Sequence, residues 1–389
     1  MKITGIQTWR LTYRMPYALT YARGEYDTRE ALLVKVSTDD PDVFGWGESA
    51  MWGGPHGVTA AVIEQEIAPI VIGQDPRRPE YLWEKVYQET YYHGRKGLVL
   101  AALSGVDIAL WDILGKACGQ PLWRLLGGYG RPLQAYASAG YYRRDYDVSA
   151  FAADVARARA AGFCGYKMKV GNVPQAVHAG VLADVPLRRG IAQDLERVAA
   201  AREAIGPENM LMCDATTSLD LTGALAYAEA FEKLGVAWFE EPTQAENVEG
   251  CAELQRRTRI PVAGFETETG RHAFARLIDA GAIRIVQPDV VQVGGISEAR
   301  KIAHYAQIRH LPFTCKNYST AVSSAACLHL LHSLANGRWF ECDQDPNPLR
   351  DAILARPAWR LDGGWAEPTD APGLGVAIDE AKLAAWRVA

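Results

Sequence analysis

Paired cysteines are missing from this sequence. Seven cysteines stand among 389 residues, at 118, 164, 213, 251, 315, 327 and 342, with no CxxC pair. That odd, scattered set argues against a disulfide frame or a zinc site, and for reduced thiols in a cytoplasmic protein. Basic charge is also short. The 41 Lys and Arg against 46 Asp and Glu leave a net charge of −5 and no basic stripe, so nucleic acid is not an expected partner. No apolar run is expected to reach the roughly 20 residues of a membrane span. The opening Met1-Lys2-Ile3-Thr4-Gly5-Ile6 lacks the long apolar stretch of a secretory signal. Low-complexity segments are absent, and shares of 49% hydrophobic and 22% charged residues are those of a globular chain. Gly127-Gly128-Tyr129-Gly130 has neither a preceding strand nor a phosphate-loop lysine and reads as a turn. Ser323-Ser324 has no nucleophile-elbow context.

What is present divides in two. The length suggests two domains, or a barrel with a cap. Residues 1–130 read as an α+β cap, with antiparallel strands at 3–13 and 31–37 and helices at 58–72 and 98–117. The last helix repeats apolar residues at Leu100, Leu103, Val106, Leu110 and Leu114, and Gly119 and Pro121 stop it. Residues 131–361 alternate short apolar strands with amphipathic helices, which predicts parallel β/α units. Eight candidate strands (133–138, 165–170, 210–215, 236–241, 261–266, 283–289, 312–317 and 339–342) enclose seven helices. The fold class expected is therefore α/β, a modified (β/α)7β TIM-type barrel with an N-terminal α+β cap, which 362–389 is assigned to complete. Such barrels carry their chemistry at the C-terminal strand ends. The segment 172–190 exceeds a usual βα loop and reads as an insertion or lid.

Three carboxylates fall at those ends on consecutive strands. They are Asp214 in Met212-Cys213-Asp214-Ala215, Glu240 in Trp238-Phe239-Glu240-Glu241-Pro242, and Glu266 in Ala263-Gly264-Phe265-Glu266, spaced 26 residues apart. One β/α unit separates each from the next. Three oxygen ligands without histidine or cysteine suit a hard cation such as Mg²⁺, whose remaining positions would go to water and substrate. The alternative is that each acid caps the following helix. One strand earlier, Lys167-Met168-Lys169 places two ammonium groups on the same face, into the barrel mouth. Their repulsion is expected to lower the pKa of one and supply a base near neutral pH. Removing a proton alpha to a carboxylate builds a dianionic ene-diolate. A cation on that carboxylate and a nearby amine answer that need.

With these motifs in order, the sequence resembles the mandelate racemase-like group of the enolase superfamily, from the cap to the closing Pro372-Gly373-Leu374-Gly375-Val376. The resemblance implies Lys169 as the base, with Lys167 assisting it and binding the substrate carboxylate. It implies Asp214, Glu240 and Glu266 as Mg²⁺ ligands. It also implies Glu341, in Trp339-Phe340-Glu341, as a neutral acid that hydrogen-bonds the growing negative charge; a helix-capping or ion-paired role is the alternative. Gln287-Pro288-Asp289 through Gly294-Gly295 resembles the family's sixth-strand segment.

The pattern breaks at the seventh strand. Many relatives carry a histidine there, paired with the sixth-strand aspartate, whereas Pro312-Phe313-Thr314-Cys315-Lys316-Asn317 offers Lys316. An Asp289–Lys316 dyad is the expected replacement, with a depressed lysine pKa and an acid or base role across from Lys169. A structural ion pair is the alternative. Gln292 occupies the position of the sixth-strand lysine of muconate-cyclising and amino-acid-racemising relatives, which disfavours those activities. Arg23, Tyr26, Trp52, His56, Tyr92, His93 and Arg95 lie in cap loops able to fold over the mouth, and Thr267 and Glu268 follow Glu266 closely. They are candidates for binding hydroxyls or a distal carboxylate. The reaction expected is Mg²⁺-dependent dehydration of an aldonic or aldaric acid to a 2-keto-3-deoxy acid. A racemase or epimerase is the alternative, and a barrel that binds metal and ligand without turnover is an alternative of another class. A small-molecule carboxylate is the expected partner, with no membrane, and a closed homo-oligomer is expected.

Overall fold

Alternating apolar residues build the cap from a long hairpin, seen in a computed structural model that describes residues 1–50, 56–144, 146–171 and 187–388. β1 (Ile3–Tyr21) and β2 (Gly24–Thr38) pair antiparallel from Ile3↔Thr38 to Tyr21↔Gly24. β3 (Gly45–Ser49) adds to the other edge of β2. Both long strands run well past the expected ends at 13 and 31, because the stretch between them stays paired as an arm whose Met15 and Leu19 pack against Tyr141. That arm meets the barrel at Thr20, whose backbone pairs with Tyr142. It thereby carries Arg23, Tyr26 and Arg29 to the barrel mouth.

The helix Leu98–Ala117 is long and apolar enough, by length and composition, to cross a membrane, which corrects the expectation that no such run exists. Its apolar window is 89% buried inside the protein, and apolarity on every side is what a fully enclosed helix requires. Gly45 and Gly47 let β3 lie directly on it: a Cβ at 47 would fall 1.8 Å from the Gly105 carbonyl oxygen. Two buried carboxylates then tie it outward. Asp107 accepts from Ser297 N and Oγ at 2.9 and 2.6 Å, and Asp112 from Trp46 N and Leu374 N at 2.9 and 2.8 Å.

The barrel follows as parallel strands in order: β4 (Leu133–Ser138), β5 (Gly165–Lys169), β6 (Met210–Asp214), β7 (Trp238–Glu240), β8 (Val262–Gly264) and β9 (Ile285–Val286). The expected seventh strand at 312–317 is held only by single bridges, Phe313 to Val286 and to Gly337, and Lys316 to Asp289. β10 (Phe340–Asp343) closes on β4. Helices Val148–Ala160, Leu187–Ile205, Leu221–Lys233, Val248–Arg257, Gly270–Asp279, Gly295–Ile308 and Ala321–Ser333 fill the intervals among the described residues. The fold is the α/β TIM-type barrel with an N-terminal cap that the sequence led us to expect. Most of the segment read as an insertion or lid, 172–186, lies outside the described residues.

Period two divides the strands into outer and inner rows. Tyr136, Met212, Trp238, Ala263 and Ile285 pack against one another as a plug. The next inward positions toward the C-terminal ends of β6 and β7, Asp214 and Glu240, carry charge. The C-terminal part adds the hairpin β11 (Trp359–Asp362) and β12 (Trp365–Pro368), which pairs with β4. It then returns to the cap, where Val388 N bonds to Arg10 O.

Candidate active site

β5 ends in Gly-Tyr-Lys-Met-Lys, with Tyr166 and Met168 in the outer core and the two lysines turned inward. Lys167, Lys169 and Lys316 are 2%, 6% and 3% exposed. Ammonium groups so buried demand anions, and each has one. Lys169 Nζ lies 2.5 Å from Asp214 Oδ2 and 3.1 Å from Thr216 Oγ1. Lys167 Nζ lies 2.5 Å from Glu240 Oε1 and 2.8 Å from Glu341 Oε1. Lys316 Nζ lies 2.6 Å from Glu266 Oε2. Register explains the first contact, since Lys169 and Asp214 are partners across β5 and β6.

The pKa of Lys316 moves opposite to expectation, and that of Lys167 is raised too. Burial pulls Lys167 down, but Glu240 and Glu341 outweigh it and hold it above the ordinary lysine range. Lys316 behaves alike: burial pulls it down, and Glu266, Glu341, Asp214 and Glu240 raise it well up. A depressed Lys316 is therefore corrected. So is the Asp289–Lys316 dyad as a side-chain pair. The two residues meet through their backbones, while the Asp289 carboxylate accepts from Val291 N at 3.0 Å and the lysine turns to Glu266. Glu341 differs from the neutral acid expected. Burial raises its pKa, but Lys167 and Lys316 bring it below the usual glutamate value, so it stands as an ion-paired carboxylate.

Acid still exceeds base here. Asp214, Glu240, Glu241, Glu266, Asp289 and Glu341 face three lysines. Burial first pushes Glu241 and Asp289 well above the carboxylate range; neighbouring carboxylates add to it at Glu241, and at Asp289 it prevails over the Val291 N–H and Lys316. Glu241 accepts the Glu266 backbone N–H at 2.7 Å. Backbone strain gathers at the same place: Thr216, Thr217 and Glu241 have φ of 47°, 55° and 43°, in the left-handed region that side-chain-bearing residues avoid.

No group of three His, Cys, Asp or Glu among the described residues is gathered closely enough to hold a metal ion. The donor chemistry nonetheless fits a hard dication. Asp214, Glu240 and Glu266 offer only oxygen from neighbouring strand ends, amid a surplus of acid that the lysines do not balance.

Above the charges opens a cavity of about 810 Å³. Lys169, Lys316, Glu241 and Glu266 form its floor, and the cap arm supplies Tyr21, Arg23, Tyr26 and Arg29. Arg23 Nη1 donates to Thr217 Oγ1 at 3.0 Å. The Tyr26 and Tyr318 hydroxyls are 2.5 Å apart, and burial raises both phenols, so both stay protonated. Sequence reasoning missed Tyr141, Thr216, Glu241 and Tyr318. Glu241 and Tyr318 carried a weak signal as neighbours of Glu240 and Lys316; Tyr141 and Thr216 carried none.

Other cap-loop expectations are corrected. Tyr92, His93 and Arg95 line a separate groove of about 520 Å³ with Trp83, Thr269 and Arg271, and His93 bonds Glu66 instead. Glu268 turns toward Lys96, at 3.9 Å, and does not line the cavity. Trp52 and the His56 side chain lie outside the described residues.

Comparison with known proteins agrees with this architecture. Residues 6–127 match the mandelate racemase / muconate lactonizing enzyme N-terminal domain, and residues 150–382 match the enolase C-terminal domain-like family. The D-galactarolactone cycloisomerase of Agrobacterium fabrum is 36% identical, covering 100% of this chain and 99% of its own. The arabinonate dehydratase of Saccharolobus solfataricus is 33% identical over 97% of this chain and 96% of its own. The crystal structure of a racemase from Streptomyces coelicolor with bound magnesium superposes with a TM-score of 0.87 at 27% identity, covering 99% of this chain and 100% of that one.

Proposed function

The chain belongs to the mandelate racemase-like group of the enolase superfamily, and from that premise we propose that it dehydrates an aldonic or aldaric acid to a 2-keto-3-deoxy acid with Mg²⁺ as cofactor. The observation that carries the reading is Lys169 on the cavity floor, beside strand-end carboxylates and a second buried lysine. Asp214, Glu240 and Glu266 would hold Mg²⁺, which supplies electrostatic stabilisation of the enolised carboxylate when bound.

The chain's own residues divide the remaining work. Lys169 Nζ takes the α-proton, and the C–H electrons form the carbon–carbon double bond. Lys167, kept charged by Glu240 and Glu341, attracts the substrate carboxylate. Lys316, also held charged, is a proton donor: it protonates the β-hydroxyl as the C–O bond breaks, and water leaves. The resulting enol tautomerises to the keto acid. Arg23 and the Tyr26, Tyr141 and Tyr318 hydroxyls line the space where substrate hydroxyls would lie. The reading includes a small-molecule carboxylate as the partner and a closed homo-oligomer in the cytoplasm. Seven free thiols support a reducing setting.

The relative at 36% identity favours a second reading, cycloisomerisation of an acid-sugar lactone. The same proton abstraction would then expel a ring oxygen that stays on the molecule. Proton NMR in D₂O with Mg²⁺, across aldonic acids, aldaric acids and their lactones, separates the two when joined to product mass. Loss of the α-proton with loss of one water supports the dehydratase. An unchanged formula with the lactone ring opened supports the cycloisomerase, and one with the ring or chain intact and only the α-centre changed supports a racemase or epimerase. No α-proton exchange with any of them defeats both.

A further inference from the structure

We propose that Lys316 is a built-in competitor for the divalent cation, and that cation binding at Glu266 drives its ammonium off that carboxylate and into the substrate cavity. The inference rests on the reading of Glu266 as a cation ligand. Its geometric basis is the Lys316–Glu266 contact of 2.6 Å, between two residues that both line the cavity. Lys316 replaces no structural partner there: Asp289, its backbone neighbour, spends its carboxylate on Val291 N. Among the described residues Lys316 is the one side chain in ion-pair contact with Glu266, whose backbone N–H is anchored by Glu241.

The other two pairs are differently built. Lys167 keeps Glu341 if Glu240 turns to a cation, and Lys169 keeps Thr216 if Asp214 does. Lys316 has no second carboxylate in contact: Glu341, Asp214 and Glu240 attract it from farther off, and the Tyr318 ring on the cavity wall lies 5.9 Å away. An ammonium and a dication on one carboxylate repel strongly in so dry a place. Binding is then an exchange in which one charge leaves as two arrive. The freed ammonium moves toward the position a proton donor to the substrate needs, so cation loading and acid placement become one event.

Isothermal titration of the purified protein with Mn²⁺ and Mg²⁺ tests this without any turnover. Removing the competitor in Lys316→Met, with Lys316→Gln beside it in case either folds poorly, is expected to tighten cation binding by at least roughly tenfold. In the wild-type protein, amine acylation read by mass spectrometry should find Lys316 protected, and more reactive at saturating Mn²⁺. Unchanged or weaker binding in both variants, or reactivity indifferent to Mn²⁺, overturns the exchange. Glu266→Gln distinguishes this failure from failure of the premise. If it weakens binding while the Lys316 variants do not tighten it, Glu266 remains a ligand and only the competition is wrong. If it leaves binding intact, Glu266 is no ligand and the proposal falls with it.

Discussion

Arg29 is expected to be the costliest single contact between cap and barrel. It reaches from β2 to Asp343 at the end of β10, Nη1 to Oδ2 at 2.7 Å and Nη2 to Oδ1 at 3.2 Å, a forked pair whose side chains are 3% and 4% exposed. It also donates to the Tyr318 carbonyl at 3.2 Å and lies 4.3 Å from the centre of that ring. Breaking one side of a buried pair strands the other charge and costs about 3–5 kcal/mol. Here Arg350, 3.4 Å from Asp343, covers part of the stranded charge, which places Arg29→Met near about 3 kcal/mol. Arg29→Lys keeps the charge, loses the fork, and should lose roughly half as much. Urea unfolding followed by tryptophan fluorescence, at one fixed protein concentration, measures both, and Asp343→Asn completes a double-mutant cycle. Because Tyr318 lines the cavity, kcat/KM should fall in Arg29→Met and partly recover in Arg29→Lys. A loss within about 1 kcal/mol, the range of exposed pairs, would show that solvent reaches this contact and refute the reasoning.

Three further outcomes are expected. Lys169→Ala should lower α-proton exchange by about 10²–10⁴-fold, measured by NMR on protein whose urea transition shows it folded, and the midpoint should fall as well because Asp214 is left buried without its ammonium; retained exchange would move the base elsewhere. Burial, against hydrogen bonds from Ser297, pushes Asp107 up to about 7, so its neutral form is favoured in the folded protein. Its contribution to stability is therefore full below the ordinary value of 3.8 and is lost as pH rises through about 7; Asp107→Asn should flatten the wild-type decline between pH 4 and 8, read from urea midpoints. Glu48, fully buried on β3, accepts from Thr320 Oγ1 at 2.6 Å and Ser323 N at 2.9 Å, capping the helix Ala321–Ser333 from the other domain. Glu48→Ala should cost about 2 kcal/mol by orphaning those donors, and a thermal midpoint equal to wild type would count against the cap.

Local pattern was enough for much of the architecture. Strand 133–138 and helix 98–117 were legible to the residue, because a burst of apolar period-two or period-three-to-four residues ended by glycine and proline is a local property. Lys167, Lys169, Asp214, Glu240 and Glu266 were legible as a set for a related reason. In a parallel barrel each unit returns to the same end, so position along a strand already says which residues share the mouth.

Which ammonium meets which carboxylate was not legible. Asp289 and Lys316 occupy adjacent segments, and adjacency suggested a dyad, yet the lysine reaches past its neighbour to Glu266. Sequence spacing contains no information about that choice, which depends on where a long side chain finds an unclaimed anion. The same holds for pKa direction. Lys167 and Lys169 in sequence suggest repulsion, but the surrounding surplus of acid turns Lys167 upward, and Lys316 with it. Cap-loop residues were harder still: Arg23 and Tyr26 reach the cavity while Tyr92, His93 and Arg95 line another groove. The difference lies in a hairpin arm whose length depends on pairing between its two strands and on its packing against Tyr141. What the sequence by itself determined was the barrel, its cap, and the end at which chemistry gathers, because these follow from local periodicity. The charge pairing and the cavity wall were decided by tertiary contacts between residues far apart in the chain, through distances and desolvation that exist only once the fold has closed.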